Sequence, residues 1–187
     1  MRDIPRFAAI LMLVALIAAG CLAWVDKITK PKILTQEAKA LQDALHYVLS
    51  DAQVIVPESS EGQILFYRGF SDKEMKHLAG YAFQADGEGY SSTIKTIVGI
   101  DTLFVIKAIK ILSQQETPGL GTRCEEILNG ETSPWWPRQF SGKNAREIRV
   151  NKDGGVIQAI TGATITSRAI TNAIAEKSRW LQKCLNP

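Results

Sequence analysis

Three hydroxyl side chains, Thr161, Thr164 and Thr166, crowd around Gly162 and Ala163 near the C-terminal end of the sequence. Small residues let a backbone approach a bulky anion closely. The hydroxyls donate hydrogen bonds, and each offers an oxygen that can be esterified. A helix-forming stretch follows from Ser167, so free N–H groups and the positive end of a helix dipole lie at the same place. These residue types at this spacing describe a phosphate site in which a threonine could itself carry the group. A capped turn between strand and helix uses the same residues, and locally the two readings stand level.

Three further segments could frame the same site. Glu116-Thr-Pro-Gly-Leu-Gly121 carries a strong turn signal at Pro118-Gly119. Such a turn can bring backbone N–H groups against a planar or anionic ligand, although a plain loop explains it as well. In Gly89-Tyr90-Ser91-Ser92-Thr93-Ile94, hydroxyls beside an aromatic suit contact with a ring edge, or simply a turn entering a strand. Trp135 and Trp136, fixed between Pro134 and Pro137, could dock on a partner, cover a flat ligand or cap a sheet core.

The elements that must position these residues are legible in outline. Thr35 to Leu49 reads as a helix with Thr35 as N-cap and Ala38, Leu41, Leu45 and Val48 on one face. Val54 to Val56 is a short extended piece, followed by a polar turn from Pro57 to Gly62. Ile64–Tyr67, Leu78–Phe83, Ile94–Ile100 and Leu103–Ile111 read as strands, with a glycine-rich loop at Asp86–Tyr90. Asp153-Gly-Gly155, flanked by Ile148–Val150 and Val156–Ile160, reads as a hairpin. Arg168 to Leu185 is an amphipathic closing helix. Strands outnumber helices, and hairpin connections dominate. The class is α+β, with a mainly antiparallel sheet and flanking helices.

Composition limits the function classes. A net charge of +3 with no basic cluster interleaved with aromatics argues against a nucleic-acid partner. No CxxC occurs, and His46 and His77 are far apart in sequence, so a metal site built by this chain alone is not expected. Cys124 and Cys184 could pair if the domain is extracytoplasmic.

Phe7 to Val25 is an uncharged apolar run. As a helix it spans roughly 28 Å, close to the hydrocarbon thickness of a bilayer. Its length and the interfacial Trp24 favour a retained transmembrane helix over a cleaved signal peptide. They also favour it over a lipoprotein signal ending at Cys21. Arg2 and Arg6 precede the run, while Lys27, Lys30 and Lys32 follow it, so charge alone does not set its orientation.

Thr161 to Thr166 resembles the flavinylation motif of the FMN-binding domain family, Ser/Thr-Gly-Ala-Thr-x-Thr. Gln158 stands where that family usually has Asp. Glu116 to Gly121 and Gly89 to Ile94 resemble segments of the G subunits of Rnf complexes and the C subunits of sodium-pumping quinone reductases. The short length favours the former. The resemblance implies FMN held by a phosphoester at Thr166. It implies further cofactor contacts from Thr161, Gly162, Ala163, Thr164, Glu116, Thr117, Leu120 and Gly121.

The resemblance also implies an anchor with its flanks at residues 1–30 and an extracytoplasmic FMN-binding domain at 31–187, with the N-terminus inside. The chain would be one electron-transfer subunit of a ferredoxin:NAD oxidoreductase coupled to Na⁺ or H⁺ movement. Its implied partners are membrane subunits of the A, D and E types, together with a separate flavin transferase that uses FAD and Mg²⁺. The alternative is an extracytoplasmic binding or assembly module without a redox cofactor, for which Gln158 is the best argument.

Overall fold

In the computed structural model, which describes residues 3–60 and 62–185, the alternating apolar residues between Val54 and Ser113 build one antiparallel sheet. Arg2, part of the orientation argument, and Glu61, part of the expected turn, lie outside the described residues. The strands are β1 (Val54–Ser60), β2 (Gln63–Phe70), β3 (Leu78–Glu88), β4 (Thr93–Ile100) and β5 (Ile106–Ser113), in spatial order of sequence. Helix α1 spans Asp3–Val48 and α2 spans Thr164–Leu185. The expected α+β class and antiparallel sheet are present.

The chain divides into two units between Ala40 and Leu41. In the first, α1 is exposed along its described length and long and apolar enough to cross a membrane. In the second, the last turns of α1 place Ala44, Leu45 and Val48 on one face of the sheet, with Ala82 and Ile97. The other face carries Phe83, Ile94, Val98 and Ile100, covered by Ile170, Ile174 and Leu181 of α2. Period-two strands and a helix of period 3.6 thus close two apolar layers around one sheet.

Several boundaries differ from the sequence reading. The helix expected to begin at Thr35 is continuous with the apolar run, and Thr35 Oγ1 donates to the Lys32 carbonyl inside it instead of capping. Pro31 lacks one helical N–H but does not end the helix. β1 continues through Pro57 because it is an edge strand, where a missing N–H is tolerated.

The expected loop at Asp86 is strand as far as Glu88, and Gly87 pairs with Ile94. β5 begins at Ile106, not Leu103. Asp101 Oδ1 accepts from the N–H groups of Leu103 and Val105 and folds that stretch into a turn.

The hairpin around Asp153 is not formed. Val150 and Ile157 touch in a single parallel bridge, beside a 3-10 turn at Asn151–Asp153. Ile148, Val150, Ile157 and Ile160 are all buried, so both flanks turn into the core instead of extending the sheet.

Trp136 is fully buried, and its indole N–H donates to the Gln158 carbonyl at 2.8 Å. Phe140 packs edge-on against it. Trp135 is partly buried against the same core. Of the roles open to this pair, core packing is the one Trp136 performs. Cys124 and Cys184 are both free thiols, and Cys124 is buried. Burial, reinforced by Glu125, pushes the Cys124 thiol up to about 12.

Candidate functional site

The hydroxyl-rich segment leads directly into α2. The helix begins at Thr164, one turn earlier than the sequence suggested. Ser167 is the reason. Its Oγ donates to the Ala163 carbonyl and accepts from the Ile160 N–H, both at 2.9 Å, and the group is fully buried. This bracket pins the two sides of the Thr161–Gly162 turn together. Gly162 holds φ +81, the left-handed region that its missing Cβ permits. Arg168 and Asp153 tie the start of α2 to the neighbouring 3-10 turn with two hydrogen bonds. Both are substantially exposed, so this pair orients more than it stabilises.

Thr166 lies in the first turn of α2 and is 1% exposed. Its Oγ1 donates to Glu116 Oε2 at 2.5 Å. Glu116 stands just beyond β5, is 4% exposed, and also accepts from the backbone N–H groups of Tyr90, Ser91 and Ser92. The Ser92 hydroxyl donates to it as well. One carboxylate therefore joins three segments that are distant in sequence: the β3–β4 connection, the loop after β5, and α2.

Burial raises the pKa of Glu116, but hydrogen bonds from Thr166, Ser91, Tyr90 and Ser92 outweigh it and hold the carboxyl below its usual value. A carboxylate depressed in the folded state stabilises the fold above its ordinary pKa of about 4.3. That contribution is lost as pH falls through the lower folded-state value. Glu116→Gln is therefore expected to be less stable than wild type near neutral pH, with a gap that narrows below about pH 4.3. Urea midpoints measured across that range test this. A gap independent of pH would show that the charge of Glu116 is not its source.

Above this bond lies a cleft of about 480 Å³. Tyr90, Glu116, Thr117, Leu120 and Gly121 line one side, and Gly162 to Thr166 line the other. The volume suits a cofactor-sized ligand. Tyr90, Leu120 and Ile165 are exposed, giving the cleft apolar walls. Among the described residues, nothing accepts a hydrogen bond from the N–H groups of Thr164, Ile165 or Thr166. Those groups are the unsatisfied donors of a helix start, suited to a phosphate. Apolar walls beside an anion-binding floor fit a flat ring that carries a phosphate.

The structure thus brings Glu116, Thr117, Leu120, Gly121, Gly162, Ala163, Thr164 and Thr166 around one cleft. Thr161 is exposed and lines an adjoining polar groove with Lys152 and Gln158. That groove shares Gly162 and Thr164 with the cleft. Two functional features escaped sequence reasoning. Ser167, a bracket from within the helix, reads in sequence as one more helical polar residue. The Gly89–Ile94 segment signalled a ring contact through its side chains, whereas its backbone N–H groups serve to hold Glu116.

Residues 89–177 match the family profile described as FMN-binding domain, and residues 1–48 match that of the RnfG N-terminal region. The G subunit of the ion-translocating oxidoreductase complex of Vibrio vulnificus is 32% identical over 181 residues, covering 88% of this chain and 82% of that one. Its counterpart in Escherichia coli strain K12 is 30% identical over 193 residues, covering 97% and 93%. The crystal structure of Shewanella oneidensis NqrC superposes with a TM-score of 0.46 at 20% identity, covering 73% of this chain and 74% of that one.

Proposed function

From the premise that this chain belongs to the family of G subunits of ion-translocating oxidoreductase complexes, we propose that it is a membrane-anchored electron-transfer subunit carrying FMN covalently on Thr166. The observation that carries the reading is the placement of Thr166 in the cleft lining at the start of α2, beside helix N–H groups that have no acceptor among the described residues. The residues present fit the group. Thr164, Ile165 and Thr166 would donate their N–H groups to the phosphate. Gly162 and Ala163 would let it approach the backbone. Thr117, Leu120 and Gly121 would form a wall beside the ring. When bound, FMN supplies the redox chemistry, and the protein supplies its position and electrostatic surroundings.

In this reading residues 1–30 are the anchor with its flanks. Residues 31–187 are the flavin domain, on the extracytoplasmic side. A covalent bond would keep the cofactor in place where free FMN is scarce. The complex is of the Rnf type, passing electrons between ferredoxin and NAD and coupling this to Na⁺ or H⁺ movement. The partners are membrane subunits of the A, D and E types and a flavin transferase. Turnover belongs to the assembly.

Co-expression with a flavin transferase followed by a denaturing gel under ultraviolet light tests the attachment. The wild-type band is expected to fluoresce and Thr166→Ala to be dark, with both unfolding cooperatively. A dark wild-type band beside a labelled control flavoprotein would sink the covalent reading and favour an assembly module without a redox cofactor.

A further inference from the structure

We propose that Glu116 is the proton acceptor that activates Thr166 for flavin attachment, so that this chain supplies part of the chemistry of its own modification. This rests on Thr166 being the attachment residue. Thr166 Oγ1 already donates its only proton to Glu116 Oε2 at 2.5 Å, with both side chains buried. The hydroxyl lone pairs are thereby left for an incoming phosphorus atom. Backbone donors hold both carboxylate oxygens, Ser91 and Ser92 at Oε1 and Tyr90 at Oε2, so the group cannot turn away. The thiol of Cys124, pushed up to about 12 by burial, is a nearby titratable neighbour that stays protonated and cannot compete as a base.

The step balances with a flavin dinucleotide as donor. Thr166 Oγ1 bonds to the flavin-side phosphorus of its pyrophosphate, the bond from that phosphorus to the bridging oxygen breaks, and AMP leaves. The hydroxyl proton passes to Glu116, and no electron is transferred. A carboxylate of less than ordinary basicity suffices, because the hydroxyl acidifies as its oxygen bonds phosphorus. Protein kinases use an aspartate in this way. Once protonated, Glu116 also offers the new ester a donor instead of a second negative charge.

The test follows the rate of covalent labelling of the purified full chain in detergent, with flavin transferase, FAD and Mg²⁺, in wild type and Glu116→Gln across a range of pH. General-base catalysis contributes about 10²–10⁴-fold. The wild-type rate is therefore expected to exceed the variant's by at least about 100-fold near neutral pH. That ratio should shrink as pH rises and hydroxide replaces the base, and the transferase's own pH dependence cancels in it. Glu116→Asp, which restores the carboxylate, should label at least about tenfold faster than Gln.

A ratio near one, or a large ratio unchanged by pH, overturns the proposal, the latter by showing a purely structural role. Should Glu116→Gln lose its unfolding transition, the wild-type to Glu116→Asp ratio takes its place. That ratio must then exceed one and fall with pH. A wild type that takes no label while a control flavoprotein does removes the attachment reading itself.

Discussion

Trp136→Ala is expected to destabilise the folded domain by about 3–5 kcal/mol, the usual cost of emptying a buried aromatic site. The indole is fully buried and packs edge-on against Phe140 with ring centroids 5.0 Å apart. Its N–H also holds the Gln158 carbonyl, two residues before Ile160 enters the core. Removing it opens a cavity and releases the strand-like segment that leads into the hydroxyl motif.

Trp136→Phe separates the two losses. It keeps most of the volume and deletes the hydrogen bond, so about 1–1.5 kcal/mol of the effect should remain. Chemical denaturation gives both numbers. Amide exchange at Ile157 to Ile160 should quicken in the Ala variant before exchange in β3 and β4 does. If Ala and Phe prove equally mild, Trp136 does not anchor this segment.

What was legible in the sequence follows from the range of the forces involved. Period-two alternation in Ile94–Ile100 and helical spacing after Arg168 are local patterns, and both elements are present. The threonine cluster and the Glu116–Gly121 turn were legible as chemistry because glycine, proline and hydroxyl residues act on their own backbone. Their meeting was not legible from the residues alone. Thr166 and Glu116 lie fifty positions apart, and their bond exists only because the sheet returns the end of β5 to the start of α2.

One failure has the same origin, and two arise from local hydrogen bonds. Asp153-Gly-Gly155 does make a turn, but four buried residues on its flanks pull both arms into the core and prevent a hairpin. Asp101 caps its own downstream N–H groups, a local turn that strand alternation does not reveal, and this moved the start of β5. Thr35 has the side chain of an N-cap, yet helix precedes it, so the same hydroxyl bonds backward to Lys32.

Gly121 offers the sharpest separation of site from scaffold. A Cβ there would lie 2.8 Å from Thr166 Oγ1, 2.6 Å from Glu116 Cβ and 2.9 Å from Glu116 Oε2. Those side chains are buried and hydrogen-bonded to each other, so neither can yield without breaking their bond or lifting the loop. Gly121→Ala should cost about 1–3 kcal/mol, the range for overpacking a closed site. Its effect on loading should be far larger than that loss implies, because the added methyl strikes the oxygen proposed as the attachment point. Covalent flavin per folded chain is expected to fall at least about tenfold, as misplacement of a reacting atom by about 1 Å can cost on the order of 100-fold. Gly119→Ala is the comparison. That residue has φ +75 and open space around its Cβ direction, so the variant pays only backbone strain of about 1–3 kcal/mol. Two variants in one loop would then lose similar stability and differ widely in flavin content. Equal loss of flavin in both would mean that the loop acts through its overall shape and not by its contact with Thr166.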